Sequence, residues 1–226
     1  MLTDVDRATE SLLATAADLD PALVAAPSLL PGWTVGHVLT HVARNGDMYT
    51  RLLTGARTGV VAQAYAPGQR DEDIEAGAGR PLRDQIEDIR ESHERFADAA
   101  AAMPAAAWTF PLEFIRLPAA GVPWARLREV EVHHVDLGQG YVPADWSDAF
   151  ALRLLREIVT GAGPDAPPMI LRPFGIDHPL TIGAADEPPV VGGPTKSLAA
   201  WLSGRGEGTD LTVSPDGELP KPPRWK

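Results

Sequence analysis

Apolar residues recur at helical spacing in four stretches between Asp4 and Gly138, and no other feature constrains the chain so strongly. The first runs from about Asp4 to Asp18, with Val5, Ala8, Leu12 and Ala16 in phase. The second follows Trp33, takes Thr34 as its N-cap and stops near Gly55. The third spans Pro81 to Met103, with Leu82, Ile86, Ile89 and Phe96 on one side and charges on the other. The fourth opens near Val122-Pro123, where proline suits a first helical turn, and ends at Gly138 or Gly140. Each stretch must bury one face, and successive amphipathic helices satisfy that need by packing as a helix bundle.

Two of these helices carry ligand-type side chains inside the apolar period. Four of the six histidines lie in Gly32-Trp33-Thr34-Val35-Gly36-His37-Val38-Leu39-Thr40-His41 and Arg128-Glu129-Val130-Glu131-Val132-His133-His134-Val135-Asp136. Residues four apart share a helix face, so His37 with His41, and Glu129 with His133, each point at one spot. On an exposed surface such pairs are solvated. Here Val38, Leu39 and Val42 surround His41, while Leu127, Val130 and Val132 surround Glu129 and His133, which places them partly inside, where polar groups need partners. Glu129, His133 and a histidine of the earlier segment form a candidate set of three metal ligands, and three ligands leave a coordination position open. His93 falls on the apolar side of its helix with no partner at four residues' distance and is read as a packed or rim histidine.

Between the second and third helices, Gly59 to Gly79 is rich in Gly, Ala, Pro and acidic residues and reads as a long loop carrying Arg70. After Tyr141 the pattern changes. An amphipathic helix from Asp145 to Val159 precedes short β-like runs at Met169–Arg172, Leu180–Ile182, Val190–Val191 and Leu211–Val213, with a helix near Pro194–Leu202 between the last two. The expected fold class is therefore α+β: a four-helix bundle over residues 1–142, then a small α/β domain over 143–226 containing a short antiparallel sheet. The tail Pro222-Pro223-Arg224-Trp225 is stiffened by proline, and its Trp argues for docking.

Composition excludes several function classes. A net charge of −11 and a pI near 4.9, with no basic stripe, argue against nucleic acid as a partner. No apolar run reaches the roughly 18 residues a membrane helix needs, and the N-terminal residues do not read as a signal peptide, so the expectation is a soluble cytoplasmic protein with no membrane partner. The chain has no cysteine, which removes thiolate ligands and a cysteine nucleophile together. Any thiol must come from outside.

The Gly-Trp-Thr segment with its histidines, the run Arg128-Glu129-Val130-Glu131-Val132-His133-His134-Val135-Asp136-Leu137-Gly138 and the Pro-Pro-Arg-Trp ending together resemble the mycothiol-dependent maleylpyruvate isomerases. The resemblance covers nearly the whole chain and implies a DinB-like metal-binding bundle. It implies zinc held by His41, Glu129 and His133, choosing His41 over His37, and it makes mycothiol the cofactor. Arg70 and Arg224 match positions toward the substrate cavity, with catalytic and cofactor-binding roles. His37 is left to packing or to supporting the ligands, His134 to structure, and Asp136 either to orienting a ligand imidazole or to an exposed cap.

The implied reaction belongs to aromatic degradation. A zinc-activated thiolate adds to the cis double bond of maleylpyruvate, the bond rotates in an enolate, and the thiolate leaves to give fumarylpyruvate. Arg70 and Arg224 grip carboxylates or the developing charge while the small domain closes the cleft. The same machinery serves a mycothiol S-transferase that conjugates the thiol to another electrophile, and a non-catalytic metal-dependent binding module is a third reading. The partners implied are a small-molecule electrophile and a low-molecular-weight thiol. Oligomeric state stays open, a monomer being one option.

Overall fold

The computed structural model describes residues Met1–Trp225 and divides the chain into two compact units, Met1–Tyr141 and Val142–Lys226. In the first unit, helices α1 (Leu2–Ala17), α2 (Val35–Thr58), α4 (Leu82–Ala101) and α5 (Val122–Asp136) form the bundle, with a short helix α3 (Gln69–Ala78) beside it. Helix α2 packs against α3, α4 and α5, and α1 packs against α4 and α5. The apolar faces read from the sequence are the ones buried: Leu12, Leu39, Ile89, Phe96 and Val130 are at most 1% exposed. Thr34 caps α2 by accepting from the His37 amide at 3.4 Å.

Helix α3 overturns the expected long loop. Its sequence offers no strong apolar stripe, and its N-cap is Gly68 with no side-chain cap, so nothing local announces it. Docking stabilises it. The missing side chain of Gly36 on α2 makes room for the Ala78 carbonyl, and that of Gly77 on α3 makes room for Thr40, so the two backbones approach more closely than any larger residue allows. Arg70 consequently sits on the first turn of a helix rather than in a loop. A small hairpin of β1 (Pro111–Leu112) and β2 (Leu117–Pro118) between α4 and α5 is likewise absent from the sequence reading.

In the second unit, α6 (Asp148–Gly161) is followed by β3 (Met169–Pro173), β4 (Leu180–Ile182), β5 (Val190–Gly193), α7 (Thr195–Leu202) and β6 (Thr212–Ser214). The sheet order is β4-β3-β5-β6. Its outer pairings are antiparallel, but β3 and β5 run parallel, with Leu171 opposite Val191, so the sheet is mixed where an antiparallel one was expected. The chain after β4 returns to the far edge of β3 instead of extending the hairpin, a choice that short apolar runs do not encode. Helices α6 and α7 pack together, and α7 contacts β3 and β5. Near the end of the chain Pro223 is buried, and the Arg205 guanidinium lies 5.5 Å from the Trp225 ring centroid, which answers the expected docking of that tryptophan. Among the described residues no helix is long and apolar enough to cross a membrane.

Candidate metal centre

Helices α2 and α5 bring His41, Glu129 and His133 together: one ligand atom from each lies within 4.8 Å of the others. His41 projects from the second turn of α2, and the i,i+4 spacing of Glu129 and His133 sets both on the facing side of α5. Glu129 Oε2 lies 3.2 Å from His41 Nε2 and 3.5 Å from His133 Nε2. The two imidazoles meet edge to face, with ring centroids 4.5 Å apart.

The remaining polar atoms of Glu129 and His133 are held elsewhere. Arg128 Nη2 donates to Glu129 Oε1 at 3.1 Å, leaving Oε2 for the histidines. His133 Nδ1 lies 2.9 Å from Asp136 Oδ2, and this carboxylate is only 2% exposed, so it is a buried partner of the imidazole and not an exposed cap. A carboxylate on Nδ1 fixes the tautomer whose Nε2 lone pair is free to ligate.

The electrostatics of the cluster call for positive charge. Burial favours the uncharged Glu129 carboxyl, but the hydrogen bonds and charges of His133 and His41 outweigh it and hold the group well below its usual range. Burial also disfavours the His133 imidazolium, yet bonds to Asp136 and Glu129 raise that group above its ordinary value. His41 moves the other way, down to about 4, first through burial and then through the charge of His133. The cluster thus sets two carboxylates, Glu129 and Asp136, against the His133 ring, with the His41 ring favoured in its neutral form. A divalent cation meets the same demand for charge, and two nitrogens with one oxygen suit zinc. His41 Nδ1 is buried without a hydrogen-bond partner, so the side chains around the ring do not saturate it. The donor set therefore fits a metal.

Around the cluster, Trp33 presents its edge to His41 at 5.6 Å and stacks on His37 at 6.1 Å. The Arg70 guanidinium lies 5.8 Å from the Trp33 centroid, at the rim, where it donates to Asp71 at 2.7 Å. Beneath it, Arg126 is fully buried and donates from Nη1 to the Val42 carbonyl at 2.7 Å and to Asn45 Oδ1 at 2.9 Å, tying α5 to α2 one turn before Glu129. Burial pulls its guanidinium down to about 10.

The other histidines have separate work. His37 Nδ1 accepts from the Thr34 amide at 3.2 Å and its Nε2 reaches Glu75 on α3 at 3.2 Å. His134 bonds Thr15 at 2.7 Å and stacks on Tyr141 with ring centroids 3.7 Å apart. His93 pairs with Asp6 at 3.3 Å, a rim position as expected. Arg224 is exposed and belongs to the second unit. The supporting roles of Arg128, Arg126 and Trp33 were not read from the sequence. The one signal for the arginines was their presence within three residues of Glu129, among the apolar residues Trp124, Leu127 and Val130.

The family profile for the mycothiol maleylpyruvate isomerase N-terminal domain matches residues 5–138. Two solved structures superpose with a TM-score of 0.89 at 28% identity, covering 99% of this chain and 95% of theirs. They are the crystal structures of a mycothiol-dependent maleylpyruvate isomerase and of a histidine-to-alanine variant of such an enzyme. No curated protein matches the chain significantly. With the profile spanning more than half the chain and the fold shared from end to end, this protein belongs to the mycothiol maleylpyruvate isomerase family of enzymes.

Proposed function

We propose that this enzyme is a metal- and thiol-dependent cis–trans isomerase that converts maleylpyruvate to fumarylpyruvate, with mycothiol as its thiol. The observation that carries the reading is the convergence of His41, Glu129 and His133 on one point, with their other polar contacts arranged to leave Nε2 and Oε2 atoms free. These three side chains would hold the metal, and a zinc ion bound there supplies an open position that lowers the pKa of an incoming thiol. In a cysteine-free chain the nucleophile is external: mycothiol supplies the sulfur that adds to the double bond and departs after rotation.

The chain's own residues orient the reactants. Arg128 and Asp136 keep the Glu129 carboxylate and the His133 ring in one orientation. Trp33 shields the outer side of His41. Arg70 is 42% exposed, lies over Trp33 and is ion-paired with an exposed aspartate, so it can exchange Asp71 for a substrate carboxylate, a grip suited to paired hydrogen bonds. Arg224 is assigned to the second carboxylate or to the enolate oxygen. Both arginines would stabilise charge as it develops on the substrate.

The test is an assay of metal-loaded protein with maleylpyruvate, with and without mycothiol, following both isomer and free thiol. Isomerisation at constant thiol is expected. Stoichiometric loss of thiol into a conjugate would instead assign the protein as a transferase, and no reaction in protein holding one metal per chain would refute the substrate.

A further inference from the structure

Apart from the His41–Glu129–His133 cluster, the bundle carries a cavity of about 370 Å³ that the isomerase reading does not use. Its walls come from Leu52 on α2, from the segment Val61–Tyr65 and Pro67 that leads to α3, and from Phe110–Phe114 at the hairpin. That volume lies within the range of about 300–1,000 Å³ typical of small-molecule pockets. Its lining is largely apolar. Among the described lining residues Glu113 carries the only formal charge and none is a cation, so the pocket repels a carboxylate.

Two features mark it as a binding pocket and not a packing fault. At its mouth Val61 is 69% and Phe114 59% exposed, an apolar rim left open to water around a concavity. Its inner wall is fixed: Tyr65 donates to the Arg44 carbonyl at 3.3 Å, meets Phe114 edge to face at 6.4 Å and lies under the Arg51 guanidinium, which also donates to the Ala64 carbonyl at 2.6 Å.

The same contacts tie the pocket wall to the helix that carries His41. Arg44, which receives the Tyr65 hydroxyl, is one turn of α2 beyond His41. Pro67, on the pocket wall, precedes Arg70 by three residues. Burial raises the Tyr65 phenol, and the charges of Arg51, Arg70 and Glu129 all reach it. Arg70 and the recess, apolar but for Glu113, thus lie at the two ends of the short segment 67–70, and Tyr65 on the recess wall is within electrostatic reach of both Arg70 and Glu129.

We propose that this recess binds the apolar end of the electrophile, so that the enzyme accepts aryl or alkyl enones carrying a single carboxylate in addition to small dianions. The inference rests on the thiol-addition reading of the metal centre. The probes are (Z)-4-phenyl-4-oxobut-2-enoate, which keeps the cis enone and one carboxylate but replaces the second acidic arm with a ring, and its saturated, unreactive analogue 4-phenyl-4-oxobutanoate.

The variant is Val61→Asp, a change at an exposed position that leaves the core intact. By calorimetry on metal-loaded protein, the saturated probe should bind the wild type about tenfold more tightly than V61D, since the ring loses its apolar contact at the rim and the new carboxylate, with Glu113, repels the probe's own. In turnover, V61D should lose about tenfold in kcat/KM for the aryl enone while its kcat/KM for maleylpyruvate stays within about twofold. Equal affinity in the two proteins, or no binding by either, overturns the pocket assignment. Self-association that V61D abolishes, without probe binding, does so too and assigns the rim to a second copy of the chain. Tight, Val61-dependent binding with no thiol-dependent turnover of any enone refutes the thiol-addition reading and leaves the pocket standing.

Discussion

Replacing Asp136 by Asn and by Ala separates a metal site that is merely present from one that is held in place. Asp136 Oδ2 is 2.9 Å from His133 Nδ1, in a carboxylate that is 2% exposed. Asn keeps an acceptor there but removes the charge. A hydrogen bond to a charged group contributes about 1.5–3 kcal/mol and a neutral one about 0.5–1.5, so the loss is about 1.4 kcal/mol, a factor of roughly ten in metal affinity. Ala also leaves the Nδ1 proton without a buried partner, which carries the loss toward the upper end of the roughly 10- to 100-fold range for residues that orient metal ligands. The assay is competition for zinc against a chromophoric chelator, with circular dichroism verifying the helices in each variant. The expected order of affinity is wild type, then D136N, then D136A, about tenfold per step. Folded variants that both bind zinc within twofold of the wild type would refute the claim that Asp136 fixes the His133 ring for ligation.

Further predictions follow from the same geometry. Arg70→Ala and Arg224→Ala should each lower kcat/KM for a carboxylate substrate by about 10- to 100-fold, the equivalent of one lost charged hydrogen bond, with metal content unchanged by elemental analysis; unaltered kinetics would remove that residue from the site. Gly36→Ala sets a methyl group against the Ala78 carbonyl and Val24, an overpacking cost of about 1–3 kcal/mol, so the bundle should melt several degrees lower and hydrogen exchange in α3 should accelerate first. Burial lowers His93 below its ordinary 6.5 in spite of Asp6, so the unfolded chain takes up a proton there before the folded one does. Stability from this residue is therefore full above about pH 6.5 and declines as the pH falls through the folded value, and a His93→Gln variant should show a flatter stability profile over that interval in denaturant titrations.

The sequence by itself determined whatever depends on periodicity. Apolar spacing located α1, α2, α4 and α5 and their buried faces, because burying one stripe of a helix is a local requirement written every three or four residues. The i,i+4 rule put Glu129 and His133 on one face of α5 for the same reason. Spacing could not choose between His37 and His41, which both lie on the start of α2; the choice came from resemblance, and the fold shows what separates them. His37 is drawn into the cap with Thr34 and toward Glu75, while His41 is set opposite Glu129 by the packing of α2 on α5.

Tertiary structure alone decided the rest. Helix α3 exists because two glycines, Gly36 and Gly77, let backbones touch, a property of a pair of residues 41 positions apart that no window of sequence contains. The parallel pairing of β3 with β5 depends on where the chain returns, and strands of three to five residues carry too little pattern to encode that. The surroundings of the metal centre, with Arg128 on one carboxylate oxygen and Asp136 on the far side of an imidazole, are set by side-chain directions fixed only when the helices pack. The shared face of Glu129 and His133 follows from a helix repeat, whereas their meeting with His41, the orientation of all three and the recess in the bundle follow from packing between distant segments.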